Sequence, residues 1–189
     1  RCAAMQWDAV QYLKFRGERL LPAVDLAKRI DVQAPERILD VGCGTGSSTA
    51  VLQSVFPEAR ILGIDNSEEM LQRARADLPA CTFRLCDAGR ELDGLGERYD
   101  VVFSNACLQW LPNQQAVLQS MFRLLKPGGV MAVQVPYNGR EALFRIIDDA
   151  AADPKWDFNR LEIPFNAVLP PEEYYAVLSG LTDDFSIWE

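Results

Sequence analysis

The chain has 189 residues, is 49% hydrophobic and 24% charged, and carries a formal charge of −8 with a pI near 4.7. Such a composition fits one soluble globular domain with chain enough for a core, and the acidity argues against a nucleic-acid partner, which would favour a basic face. No apolar run approaches the roughly 20 residues that cross a bilayer, so no membrane partner is expected, and the start shows no basic-then-apolar leader.

Residues 1–34 precede the first strand signal. Trp7, Tyr12, Leu13, Phe15, Leu20 and Leu21 are mixed there with Asp8, Lys14, Arg16, Glu18 and Arg19. Gly17 divides the stretch into two helical pieces, and Pro22 suits the opening turn of the second. Two roles fit this segment: amphipathic helices packed on the edge of a sheet, or a lid carrying aromatic and basic groups over a ligand. Strand 1 is expected over Arg37 to Val41, followed by a helix from Ser47 that Pro57 ends. Strand 2 covers Arg60 to Ile64, and Asn66 with Glu69 offers a capping box for the next helix. Strand 3 runs from Thr82 to Asp87 and strand 4 from Tyr99 to Ser104. A helix from Asn113 to Leu125 should stop at the turn Lys126-Pro127-Gly128-Gly129, before strand 5 over Val130 to Val135. Helices are expected over Glu141 to Ala151 and Pro171 to Leu178, and a strand begins near Phe185. Successive β-then-α units predict a doubly wound, mostly parallel α/β sheet with right-handed crossovers.

The stretch that carries chemistry follows strand 1: Asp40-x-Gly42-x-Gly44-x-Gly46. Glycines placed so let backbone approach a ligand and take positive φ. The dinucleotide fingerprint G-x-G-x-x-G/A fails in both registers, because Ser47 and Thr49 stand where its last glycine belongs. No Gly-Lys-Ser/Thr follows either, so this is not a phosphate loop of the Walker type. An acid at Asp40 would repel a pyrophosphate and suits a cationic ligand with an amino group. Further acids stand after strand 2 (Asp65) and strand 3 (Asp87).

With the turn Leu125-Lys126-Pro127-Gly128-Gly129, these acids and glycines appear in the order and spacing of class I S-adenosylmethionine-dependent methyltransferases, which the chain resembles from about Arg37 to Val135. The resemblance implies a Rossmann-like sheet of order 3-2-1-4-5-7-6 with strand 7 antiparallel, S-adenosylmethionine as cofactor and S-adenosylhomocysteine as product. It implies that Asp65 accepts hydrogen bonds from both ribose hydroxyls and Asp87 from the adenine amino group. Asp40 orders the glycine loop or meets the methionine ammonium group, and Gly42, Cys43, Gly44, Gly46, Asn66, Ala88 and Asn105 complete the cofactor set. Structural alternatives stand beside each acid: a helix N-terminal charge for Asp65, a turn-forming residue for Asp87, a strand-end charge for Asp40.

A narrower resemblance covers most of the chain. Trp7-x4-Tyr12-Leu13-x-Phe15-x3-Arg19-x2-Pro22-Ala23, Phe103-Ser104-Asn105-Ala106-Cys107-Leu108-Gln109-Trp110-Leu111-Pro112 and Ala132-Val133-Gln134-Val135-Pro136-x-Asn138 are similar to trans-aconitate methyltransferases, as is the terminal Ser186-Ile187-Trp188-Glu189. It favours the lid for residues 1–34, with residues 35–189 as the cofactor domain and the two together effectively one domain. It implies O-methylation of a carboxylate on a small polycarboxylic acid. Methyltransferases acting on a malonyl thioester share much of the pattern, and a cofactor-binding regulator without turnover is the alternative from another class. Candidate acceptor-positioning residues are Tyr12, Arg19, Asn105, Gln109 and Trp110, with Lys14 and Arg16 as further cations. The chain has no histidine. A carboxylate acceptor needs no general base, because at a pKa near ~4 it is already ionised at neutral pH. The five cysteines form no C-x-x-C pair, and reduced residues in a cytoplasm are expected, with no metal site. Cys107 has no evident basic partner and is expected to be a small buried residue. The resemblance also predicts a further strand beside Phe185 to Glu189 and acceptor-side elements after it, so the sheet is expected to lack its last strand here.

Overall fold

A computed structural model of the protein describes residues 16–137, a few positions between 141 and 155, and residues 168–189, with side chains described from Leu20 onward. Tyr12, Lys14 and most of the helix expected over Glu141 to Ala151 lie outside the described residues, as do the side chains of Arg16 and Arg19.

Five strands form one sheet: β1 (Arg37–Val41), β2 (Arg60–Asp65), β3 (Thr82–Leu85), β4 (Tyr99–Asn105) and β5 (Leu125–Gln134). Their order is β3-β2-β1-β4-β5, and every pairing is parallel. Helices α1 (Arg16–Lys28), α2 (Ser47–Val55) and α3 (Glu68–Asp77) precede or follow the strands on the β1 to β3 side, and α4 (Gln114–Arg123) joins β4 to β5. A last helix, α5 (Pro171–Ser179), packs on α4, where the Tyr174 hydroxyl donates to Gln114 Oε1 at 2.7 Å.

Parity along the strands explains the two layers. Ile38, Val101, Phe103 and Ala132 point to one face and bury Ala23, Leu26 and Ala27 of α1 and Leu52 of α2. Leu39, Val41 and Val102 point to the other face and meet Val117, Leu118 and Met121 of α4. These strands are apolar on both faces, as a parallel sheet covered by helices requires. Among the described residues, no helix is long and apolar enough to cross a membrane.

Four local expectations change. Among the described residues α1 runs through Gly17, and Pro22 sits inside it rather than at its opening turn. Its ring forgoes one helical hydrogen bond, while Ala23, Leu26 and Ala27 just beyond it are almost fully buried and hold the helix on the sheet. The cap of α3 is Ser67 rather than Asn66, since Ser67 Oγ accepts from the Met70 N–H at 3.4 Å. Asp65 Oδ1 takes the Ser67 N–H at 2.9 Å, which fixes that residue as the turn and leaves Asn66 exposed. The Lys126-Pro127-Gly128-Gly129 turn lies within β5, not before it. Pairing jumps from Tyr99↔Leu125 to Val101↔Val130, so Asp100 alone faces those four residues as a bulge. Asp100 Oδ2 accepts from Lys126 Nζ at 2.9 Å and from the N–H groups of Glu36 and Arg37 at 3.0 and 2.8 Å. Gly128 has φ +77, and a Cβ on Gly129 would meet the carbonyl of Asp100 at 2.9 Å. Finally, residues 185–189 form no strand, for among the described residues no neighbouring strand offers them a ladder. Instead the Phe185 ring meets Tyr175 edge-on at 5.4 Å, and the Arg29 guanidinium lies 4.6 Å over the Trp188 ring.

Candidate functional site

The glycine loop turns away from β1 at the point where strand order reverses, between β1 and β4. Ligands of open α/β sheets bind at such points, beyond the carboxyl ends of the strands. Gly42, Gly44 and Gly46 have φ of +74, +54 and +84, conformations that strain any residue with a Cβ. Their surroundings differ. A Cβ on Gly42 would stand 2.2 Å from Cys107 Sγ, and one on Gly46 would stand 2.9 Å from Leu78 Cδ1. At Gly44 nothing lies within 4 Å, so only this glycine faces open space. Gly42 therefore lets the exit of β4 close onto the loop, Gly46 lets α3 do so, and Gly44 leaves room for a ligand. Cys43 points inward, buried with Leu71, Ala74 and Phe83.

The loop's own N–H groups are occupied. Those of Gly42 and Cys43 both donate to the Ile64 carbonyl, at 2.8 and 3.0 Å, and that of Gly44 donates to Asp65 Oδ2 at 2.9 Å. These three N–H groups are therefore not available to a phosphate. Beneath the loop, Asp40 is fully buried, and its Oδ2 accepts from Ser48 Oγ at 2.7 Å and Thr49 Oγ1 at 2.6 Å. These bonds tie the start of α2 to β1, while Oδ1 has no partner. Burial raises the Asp40 carboxyl to about 6, against the pull of the Thr49 and Ser48 hydroxyls, and the nearby Asp65 charge adds to the rise. Burial also raises Asp65, opposed by the N–H groups of Ser67 and Gly44. Two carboxylates beneath the loop fit a cationic sulfonium nucleoside with a ribose diol, and would repel a pyrophosphate. The Asp65 oxygens are held by one N–H each and keep lone pairs for hydroxyl donors.

Asp87 follows β3 and is engaged in its own turn. Its Oδ1 accepts from the Gly89 N–H at 2.9 Å, and its Oδ2 lies 3.7 Å from Arg90 Nε. The turn-forming alternative thus describes its present contacts, and Ala88 is buried beside it. Beyond β4, Ala106 takes φ +51, costly for a residue with a Cβ. Its N–H extends the ladder to the Gln134 carbonyl at 2.9 Å, and its carbonyl accepts from Gln109 Nε2 at 2.9 Å. A short 3-10 helix (Leu108–Trp110) follows, with Gln109 buried and Trp110 exposed. Among the described residues Asn105 Oδ1, Gln109 Oε1 and Gln134 Oε1 are all buried without a hydrogen-bond partner. Leaving such a group unpaired costs about 1–3 kcal/mol. Asn105 and Gln109 are sequence-predicted; Gln134 was legible only as part of a motif, with no role attached. Cys107 is half-buried rather than buried, and desolvation, with the Asp65 and Asp40 charges, pushes its thiol up to about 12, which disfavours the thiolate a nucleophile needs.

A parallel sheet with this acid-and-glycine edge has clear kin. A family profile described as a methyltransferase domain matches residues 33–168. The chain is 37% identical over 186 residues to a trans-aconitate 2-methyltransferase of Methylobacterium radiotolerans, covering 96% of this chain and 71% of that one. To the protein of the same name from Rhodopseudomonas palustris it is 40% identical over 184 residues, with the same shares covered. Among solved structures it is similar to CalS10, an S-adenosylmethionine-bound amino pentose methyltransferase from Micromonospora echinaspora, with a TM-score of 0.58, 27% identity, and 71% of this chain and 59% of that chain covered. The plantazolicin methyltransferase BpumL in complex with S-adenosylhomocysteine shares the fold, with a TM-score of 0.66, 20% identity, and 92% and 68% covered. Fold and loop are those of a class I methyltransferase, an enzyme that uses S-adenosylmethionine. Within that class the chain belongs to the methyltransferase-domain family that includes the trans-aconitate 2-methyltransferases.

Proposed function

We propose that this enzyme forms a methyl ester on a carboxylate of a small polycarboxylic acid, trans-aconitate first among them. Kinship at 37% identity over 186 residues with a protein named for that reaction carries the reading. The chemistry is consistent with it. Bound S-adenosylmethionine supplies an activated methyl group, and an ionised carboxylate needs no base from a chain that has no histidine. The protein's part is alignment of acceptor and donor, worth up to roughly 7–11 kcal/mol in favourable systems.

In this reading Asp65 accepts from the ribose hydroxyls, and Asp87 with Ala88 and Asn66 meets the adenine side. The Gly44 backbone approaches the cofactor while Gly42, Cys43 and Gly46 shape the loop. Asp40 contributes negative charge through the loop it orders. Asn105, Gln109 and Trp110 face the acceptor, and Tyr12 and Arg19 join them from the N-terminal segment, whose stretch Arg16–Lys28 packs on the sheet as α1. The free thiols Cys43, Cys81, Cys86 and Cys107 suit a reducing cytoplasm. Incubation with methyl-labelled cofactor and a panel of di- and tricarboxylic acids tests the acceptor: label should appear as a base-labile ester. Label on an amine or phenol and on no acid would refute it.

A further inference from the structure

Asn105 and Gln134 are register partners at the carboxyl ends of β4 and β5. Partners on neighbouring parallel strands stand on the same face, about 4.8 Å apart along the sheet. By parity that face is the one that carries Val101, Phe103 and Ala132, which α1 covers. Gln109 joins the pair through Ala106, which bonds the Gln109 amide with its carbonyl and the Gln134 backbone with its N–H, in a strained positive-φ conformation.

All three side-chain amides end in buried, unpartnered oxygens, and Gln109 is only 5% exposed. Among the described residues nothing completes the hydrogen bonds of these three groups beyond β4 and β5, which leaves them open to a ligand. A half-turn of the Asn105 or Gln134 amide exchanges its oxygen and its NH2, so each can present donors. Segments 104–111 and 131–137 contain no Lys, Arg, His, Asp or Glu. The acids Asp40 and Asp65 lie on the other side of the switch point. One edge is therefore suited to a cation, and the neighbouring edge is neutral and, with the Asn105 and Gln134 amides turned, presents donors, which suits an anion held without repulsion.

We propose that Gln134, with Asn105, forms the carboxylate-binding pocket for the methyl acceptor, Gln134 supplying an N–H donor from β5 while Gln109 fixes Ala106 beside them. This rests on the carboxyl-methylation reading above and adds the residues that recognise the acid. The test compares wild type with Gln134→Glu, which keeps the size but puts a charge against the anion, and Gln134→Met, which keeps volume and removes both hydrogen-bonding groups. For the acid that wild type methylates, KM should rise at least tenfold in Gln134→Glu and by a smaller factor in Gln134→Met. The Kd of S-adenosylhomocysteine, measured by calorimetry, should stay within twofold in both. If wild type turns over and both variants keep its KM, or if the S-adenosylhomocysteine Kd moves in step with KM, the proposal is overturned while carboxyl methylation stands. If wild type methylates no acid, the acceptor reading fails and this proposal fails with it.

Discussion

Asp65 is oriented before any ligand arrives, by the Ser67 N–H on one oxygen and the Gly44 N–H on the other. Each remaining lone pair can take a hydroxyl, and a charge-assisted hydrogen bond is worth about 1.5–3 kcal/mol. Asp65→Ala should therefore weaken S-adenosylhomocysteine binding by about 2–4 kcal/mol in calorimetry; an unchanged Kd would remove Asp65 from the site. Asp40 reports on stability instead. Unfolded, it titrates near 3.8; folded, burial raises it to about 6. Between those values the folded state keeps a proton that the unfolded chain has lost. The Asp40 contribution is thus full below pH 4, declines from pH 4 to 6, and is absent above. About two pKa units correspond to about 3 kcal/mol. Urea midpoints at pH 4, 5, 6 and 7 should fall more steeply in wild type than in Asp40→Asn, whose side chain does not titrate. Parallel curves would show that the buried carboxyl does not hold its proton.

At the level of elements, glycines that look alike in sequence separate by what surrounds them. Gly42→Ala drives a methyl group onto Cys107 Sγ, 2.2 Å from the ideal Cβ position. Overpacking and positive φ together should lower stability by about 2–4 kcal/mol in urea denaturation. Gly44→Ala meets no atom within 4 Å, so it should lose only about 1 kcal/mol, yet bind S-adenosylhomocysteine at least tenfold more weakly. If Gly44→Ala binds normally, the open face of the loop is not the ligand's. The period and spacing of the sequence foretold the five strands among the described residues, because apolar runs ended by Gly, Pro or Asp are local signals, but also one near Phe185 that does not form. They misplaced what depends on neighbours. Ser67 displaces Asn66 as a cap because a carboxylate from β2 fixes its N–H. The Lys126–Gly129 turn becomes a bulge because Asp100 binds it from β4, sixty-odd residues from its other contacts at Glu36 and Arg37. Lys and backbone donors hold the Asp100 carboxyl below its ordinary range despite partial burial.

Over the whole molecule, the reversal of strand order after β3 is what assembles the site. It brings the loop after β1 against the exit of β4, with Gly42 and Cys107 in contact, and sets acids to one side and amides to the other. The acids were legible in the sequence because each stands at or just past the close of an apolar run; Gln134 was not, since its meaning depends on pairing with Asn105 across two strands. This division predicts that cofactor affinity and acceptor affinity can be changed separately. A ligand at one hundred times its Kd stabilises the folded state by about 2.7 kcal/mol. In a chain of this size each kcal/mol moves Tm by about 2–4 °C, so S-adenosylhomocysteine should raise the wild-type Tm by about 5–10 °C. At that concentration Asp65→Ala, weakened about 30- to 1000-fold, should gain less than about 3 °C. Gln134→Glu should keep the full shift, for its defect lies with the acceptor. Equal shifts in wild type and Asp65→Ala, or a shift abolished by Gln134→Glu, would mean that the two edges do not act as separate halves of one site.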